Sequence, residues 1–127
     1  MVDATAVGRA EEAIRHAEHA IALNPATPPW YFAALGAARL AAGSYEAAVE
    51  ALKRAPPGGE PLFHLVVAEA MLGRTEEARK HAAQLTRESP TFTAEGYIRD
   101  APVGNKALIA VLREGATRAG MSPAPTQ

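Results

Sequence analysis

The sequence predicts an all-α fold, a stack of antiparallel helix hairpins. Three observations carry that expectation. Alanine is by far the commonest residue, and it is the best helix former because it has no side-chain entropy to lose. The β-branched and aromatic residues that favour strands are sparse; Phe, Trp and Tyr together make up only 6% of the chain. Apolar residues recur at spacings of three and four in successive segments, and glycine or proline divides those segments.

The stretch 30–55, WYFAALGAARLAAGSYEAAVEALKRA, shows the unit most plainly. Phe32, Leu35, Gly36 and Leu40 fall on one helix face, and Tyr45, Ala48, Leu52 and Ala55 on another. Gly43-Ser44 joins the two helices, with Gly43 suited to a left-handed C-cap. Gly36, Ala48 and Ala55 are small enough to let two antiparallel helices approach closely.

Upstream, residues 9–23 read as a helix. Ala13, Ile14, Ala17, Ala20 and Ile21 form its apolar stripe, while Glu11, Glu12, Arg15 and His19 face water. Asn24-Pro25 stops it, because a residue before proline is pushed out of the α region. Residues 1–7 are either a short extension of this helix or its frayed end. Residues 26–29 make a tight connection, and two prolines stand at the start of the helix over 30–42, where helices tolerate them. The returning helix covers 45–55. Pro56-Pro57-Gly58-Gly59 is the strongest break, a loop between hairpins that is too short to link domains. Residues 61–72 follow, with Leu62, Leu65, Val66 and Ala70. Gly73 repeats the role of Gly43, and 75–88 return with Ala78, Ala82 and Leu85. Thr75 is a candidate cap, helped by Glu76 or Glu77. Pro90 ends that helix. Residues 91–99 read as a short helix with Phe92 and Tyr97, and 100–104 as a loop. Asn105 caps a last helix over 106–119, which Gly120 ends. Residues 122–127 read as a disordered tail, leaving 1–121 as the helical domain.

A chain of 127 residues fits one domain. Its net charge is −1 with acid and base mixed throughout, so nothing in it attracts phosphate backbones or anionic lipid. Neither nucleic acid nor membrane is an expected partner. The absence of cysteine excludes disulfides, thiolate catalysis and Cys-type zinc sites. No apolar run approaches the ~20 residues of a membrane span, and MVDATAVGRAEE is too polar for a signal peptide. A soluble cytoplasmic protein is expected.

The turn glycines Gly8, Gly43 and Gly73 recur at intervals near ~34 residues, the second interval shortened by the clipped PPGG loop. Phe32, Leu35 and Gly36 on the first helix of the hairpin, then Ala48, Leu52 and Ala55 on the second, resemble the tetratricopeptide repeat, a helix–turn–helix unit. Arg39 departs from that family's second aromatic, and the closing proline is lost. In the next unit Leu62 and Leu65 match, Val66 replaces the glycine, and Ala78, Ala82, Leu85 and Pro90 fit the second helix. The first unit supplies only a second helix, Ala13, Ala17, Ala20 and Pro25. About two and a half repeats with a C-terminal capping helix are therefore implied. More narrowly, residues 20–49 and the closing GATRAGM are similar to the C-terminal repeat region of bacterial class III adenylate/guanylate cyclases and related winged-helix regulators. That likeness implies a regulatory or interaction region and no cyclase activity. Ala116 and Thr117 depart from its closing helix, where Leu and Arg are usual.

Reactive chemistry is hard to find. His16 and His19, with Glu12 before them, share a helix face that would suit a metal, yet no third ligand is evident. His64 lies on the first helix of the second full hairpin, and His81 follows Glu77 by four, the spacing of an exposed pair. Glu11-Glu12 and Glu76-Glu77 stand at helix starts, where negative charge favours the helix dipole. Lys53, Arg54, Arg79 and Lys80 are not interleaved with aromatics, so they form no nucleic-acid patch. No GxSxG, P-loop or GxGxxG occurs. The chain is read as a non-enzyme without cofactor or metal.

What remains is a groove. In tetratricopeptide stacks the first helices of the hairpins line a concave surface. The resemblance places there Trp30, Ala33, Ala37, Leu40 and Ala41, then Glu60, Phe63, Val67, Ala70 and Met71. The Lys, Arg and Asn with which some family members clamp a carboxylate are missing from this face. Its apolar lining suits an amphipathic helix or peptide of a protein partner. The other possible occupant is the chain's own last helix. At the opposite end, Ile14, Ala17 and Ile21 have only half a partner within the chain; each exposed isoleucine would forfeit ~1.5–3 kcal/mol. A homodimer through this stripe is expected. Two further functions are open: a regulator sensing a small ligand, and a metalloenzyme using His16 and His19.

Overall fold

A computed structural model describes residues 4–24, 26–100 and 106–121. These form seven helices and, among the described residues, no strand: α1 (Ala4–Leu23), α2 (Trp30–Ala41), α3 (Tyr45–Lys53), α4 (Gly59–Met71), α5 (Thr75–Glu88), α6 (Ala94–Arg99) and α7 (Lys106–Arg118). Each of α1 to α4 packs against the helix that follows it. The chain then doubles back, and α7 lies across α4 and α2. No helix among the described residues is long and apolar enough to cross a membrane.

The two central hairpins are closed by the same turn. Gly43 and Gly73 both take positive φ, 83° and 80°, which costs an L side chain but not glycine. Gly43 N–H donates to the Leu40 carbonyl at 3.0 Å and Ser44 N–H to that of Arg39 at 2.8 Å. Gly73 and Arg74 repeat these bonds to Ala70 and Glu69 at 3.1 and 2.9 Å. This pair of bonds satisfies carbonyls that the helix end would otherwise leave orphaned. The end of α7 repeats it, with Met121 N–H donating to Ala116 and Gly120 N–H to Thr117.

The turn glycines set a register in which each residue of the first hairpin corresponds to one thirty positions later. Gly36 corresponds to Val66, and Leu52 to Ala82. A Cβ on Gly36 would lie 2.5 Å from the Leu52 side chain, so there the glycine makes room for the leucine. In the second hairpin the sizes are exchanged: Val66 is fully buried, and Ala82 packs against its cluster with Ala70, Ala78 and Ala119. Close packing of interiors explains why a larger residue on one helix is matched by a smaller one on the other. Gly115 makes the closest approach of all, since a Cβ there would stand 2.4 Å from Val67 Cγ1. That contact seats α7 directly on α4.

Several expected boundaries shift. Helix α1 already runs from Ala4, so Glu11-Glu12 lie inside it and not at its start. Helix α4 begins two residues earlier than expected, at Gly59. Thr75 is the first residue of α5; its N-cap is Arg74, with no side-chain cap bond. Helix α6 starts later than expected because Thr93 is extended (φ −131°) and its Oγ1 accepts from Gly96 N–H at 3.0 Å. The expected loop over 101–104, the Asn105 cap and the tail 122–127 lie outside the described residues.

Candidate functional site

Helix α7 covers only part of the face presented by α2 and α4. Where it stops, a cleft of about 490 Å³ remains open. Trp30, Ala33, Ala34 and Ala37 of α2 form one wall; Leu108, Ile109 and Leu112 of α7 form the other. Glu60 and His64 enter from α4, and Tyr97 and Asp100 from α6 and its C-cap. In the hairpin register Glu60 corresponds to Trp30 and His64 to Ala34, so both helices contribute the same positions.

Tyr97 reaches α4 because α6 is pinned from behind. Ala94 and Ile98 are buried in the main core. Phe63 packs against Phe92 and Tyr97 with ring centroids 5.1 and 5.3 Å apart, the tilted and edge-on arrangements aromatic rings prefer. The Tyr97 hydroxyl donates to the Glu60 carboxylate, and His64 Nε2 lies 3.1 Å from the same hydroxyl. A carboxylate can only accept, so the single hydroxyl proton is committed to Glu60. His64 must then donate from Nε2, so its neutral form is the Nε2–H tautomer.

The ionisation of the chain agrees with its geometry. Burial lowers the His64 pKa to about 4, against a smaller opposing pull from Glu60. Tyr97 is pushed above its ordinary value, first by burial, then by its hydrogen bond to Glu60 and that carboxylate's charge. At neutral pH the cleft thus presents an uncharged imidazole, a protonated phenol and two carboxyl side chains. No serine, threonine or cysteine is among the described residues lining it.

The groove residues expected from the sequence divide into two groups. Trp30, Ala33 and Ala37 line the open cleft, with Trp30 58% exposed. Leu40, Phe63, Val67 and Ala70 are buried, Ala41 likewise, and Met71 is half-buried against the core. The close seat of α7 at Gly115 accounts for Val67, and the packing of Phe92 and Tyr97 accounts for Phe63. Ile14, Ala17 and Ile21 are each half-buried on α1, which packs chiefly against α2.

Elsewhere the histidines part company with expectation. His81 is paired not with Glu77 but with Glu69, whose carboxylate accepts from Nδ1 at 2.7 Å. Glu69 is 2% exposed, so this pair joins α4 to α5 from inside. His16 is exposed and 3.9 Å from Glu12. Among the described residues, no group of three or more His, Asp or Glu is placed to hold a metal ion.

Sequence reasoning missed the trio Glu60, His64 and Tyr97. Half of it was visible, because Glu60 and His64 stand four apart and so share a helix face. Tyr97 was not, since only the chain reversal before α6 brings it there. Compared with family models, with curated proteins and with solved structures, the chain matches none.

Proposed function

We propose that this chain is a non-catalytic, tetratricopeptide-like interaction module, and that its binding site is the open cleft between α2, α4 and α7. The observation that carries this reading is Trp30. A large aromatic held 58% exposed on the rim of a half-apolar cleft is the feature expected of a partner's landing site. The volume left open accommodates a few side chains of an amphipathic helix or peptide, not a whole helix laid along α2. Because this is the chain's one tryptophan, its emission reports the cleft directly. A partner peptide should shift that emission, and Ala34→Gln, an exposed change in the cleft wall, should weaken its binding while leaving the helical circular dichroism intact. Normal binding by Ala34→Gln would reject the site.

A second reading concerns self-association. Leu23 is 71% exposed at the end of α1, close in sequence to the half-buried Ile21. This apolar end favours pairing of two copies along α1. Light scattering at micromolar concentration should give a dimer mass, and Ile14→Lys should return a monomer. A monomer mass for the unaltered chain would reject the pairing.

A further inference from the structure

Resting on the reading of the cleft as a peptide site, we propose that its anchor is a cationic side chain, a lysine or arginine set among apolar residues of a partner helix. Among the described residues lining the cleft, Glu60 and Asp100 are the carboxylates and none is a lysine or arginine. His64 does not supply a balancing charge, because burial keeps it neutral down to about pH 4. Ala33, Ala37 and Ile109 offer an apolar wall for the methylene stem of a long basic side chain, which buries its carbons while its head stays polar. Trp30 is braced by stacking on Tyr31 at 4.2 Å with planes 20° apart, yet stays 58% exposed on the cleft, and an accessible indole ring attracts cations.

Glu60 is oriented for the role. Tyr97 occupies one of its acceptor positions and holds the carboxylate at the mouth of the cleft. A carboxylate has roughly four such positions, so others remain for a ligand. Arg99 lies 3.9 Å from Asp100; the Asp100 and Arg99 side chains are 81% and 72% exposed, and a contact that long and that wet competes weakly. An acidic anchor would instead bring like charge beside Glu60, with no basic side chain among the described lining residues to meet it.

The test uses the full chain and four amidated, acetylated helical peptides, identical and apolar except for a central lysine, arginine, norleucine or glutamate. Trp30 emission and backbone amide shifts are read together. The lysine or arginine peptide should bind about tenfold or more tightly than the norleucine peptide, and the glutamate peptide weakest. Glu60→Gln, which keeps an acceptor for Tyr97, and the exposed Asp100→Asn should each erase several-fold of the cationic preference and leave norleucine binding unchanged. Raising salt should weaken only the cationic peptides. Equal binding of the norleucine and cationic peptides, or preference for glutamate, would overturn the cationic anchor while leaving the cleft as a site. If no peptide perturbs Trp30 or the amides of Ala33 and Ala37, the cleft reading falls and the anchor with it.

Discussion

The two central hairpins share a turn, a register and a packing face, yet they are stabilised differently. The first, α2–α3, has glycine against leucine at its seam, an exposed Ala34 on the cleft, and Arg39 reaching outward to Glu18 at 2.9 Å. The second, α4–α5, has valine and alanine at the seam positions, a buried His64, and a buried Glu69 where Arg39 stands in the first. A repeated backbone therefore tolerates exchange of size and of charge, provided each exchange is matched by its neighbour. The second hairpin is also the one with buried polar groups, His64 against Tyr97 and Glu69 against His81, so its contribution to stability should respond to pH more steeply than that of the first.

The largest expected difference is in acid. The ordinary histidine pKa of about 6.5 falls to about 4 on folding at His64. The unfolded chain therefore binds the extra proton between those values, and stability falls as pH drops. The contribution is fully present above pH 6.5 and is lost progressively toward pH 4, roughly 3 kcal/mol across the window. Urea unfolding at stepped pH should show this slope, and His64→Gln should flatten it. An unchanged slope in the variant would assign the effect to other groups.

The polar pairs should differ next. Removing His81 strands the Glu69 carboxylate inside the protein, so His81→Ala should cost about 2–3 kcal/mol, below the full value of a buried pair because His81 is 28% exposed. Arg39→Ala, at the register of Glu69 but with its partner half in water, should cost about 1 kcal/mol or less from charge. Equal losses in thermal unfolding would mean burial does not distinguish the two pairs.

The seam comes third. Gly36→Val alone should destabilise by about 1–3 kcal/mol, through overpacking against Leu52. Adding Leu52→Ala copies the second hairpin's pair into the first and should recover most of the loss, a coupling a double-mutant cycle measures directly. Additive losses would show that the two positions do not share one space. The smallest effect should be the most even: Gly43→Ala and Gly73→Ala should each cost about 1 kcal/mol, and by the same amount, because the turns are the same.

What the sequence disclosed follows from the range over which its signals act. Helix periodicity and glycine or proline breaks are local, so five of the helices and both central turns stand close to where the pattern put them. The place of Ala82 on the inward face of its helix was legible, but its role as the small partner of Val66 needed the two helices in contact. His81 was assigned to Glu77 because spacing along one helix is readable, whereas the rotation that turns His81 toward Glu69 belongs to the hairpin. The same reason hid Tyr97. Its own helix is short, and its partners lie on α4, more than thirty residues earlier. That Trp30, Ala33 and Ala37 share one helix face, and Phe63, Val67 and Ala70 another, was legible in their spacing. How far α7 would cover them was not, since that depends on the close fit of Gly115 against Val67.

The most direct test of the account is an amide-shift map of the full chain titrated with the apolar helical peptide that carries a central lysine. Changes should be confined to the ends of α2, α4 and α7 around Trp30, Glu60 and Leu108 and to Tyr97, with Val67, Ala70 and Gly115 unmoved. Shifts spreading through Val67 to Met71 together with loss of the α7 contact would contradict it, because the partner would then be displacing α7 and occupying the whole groove.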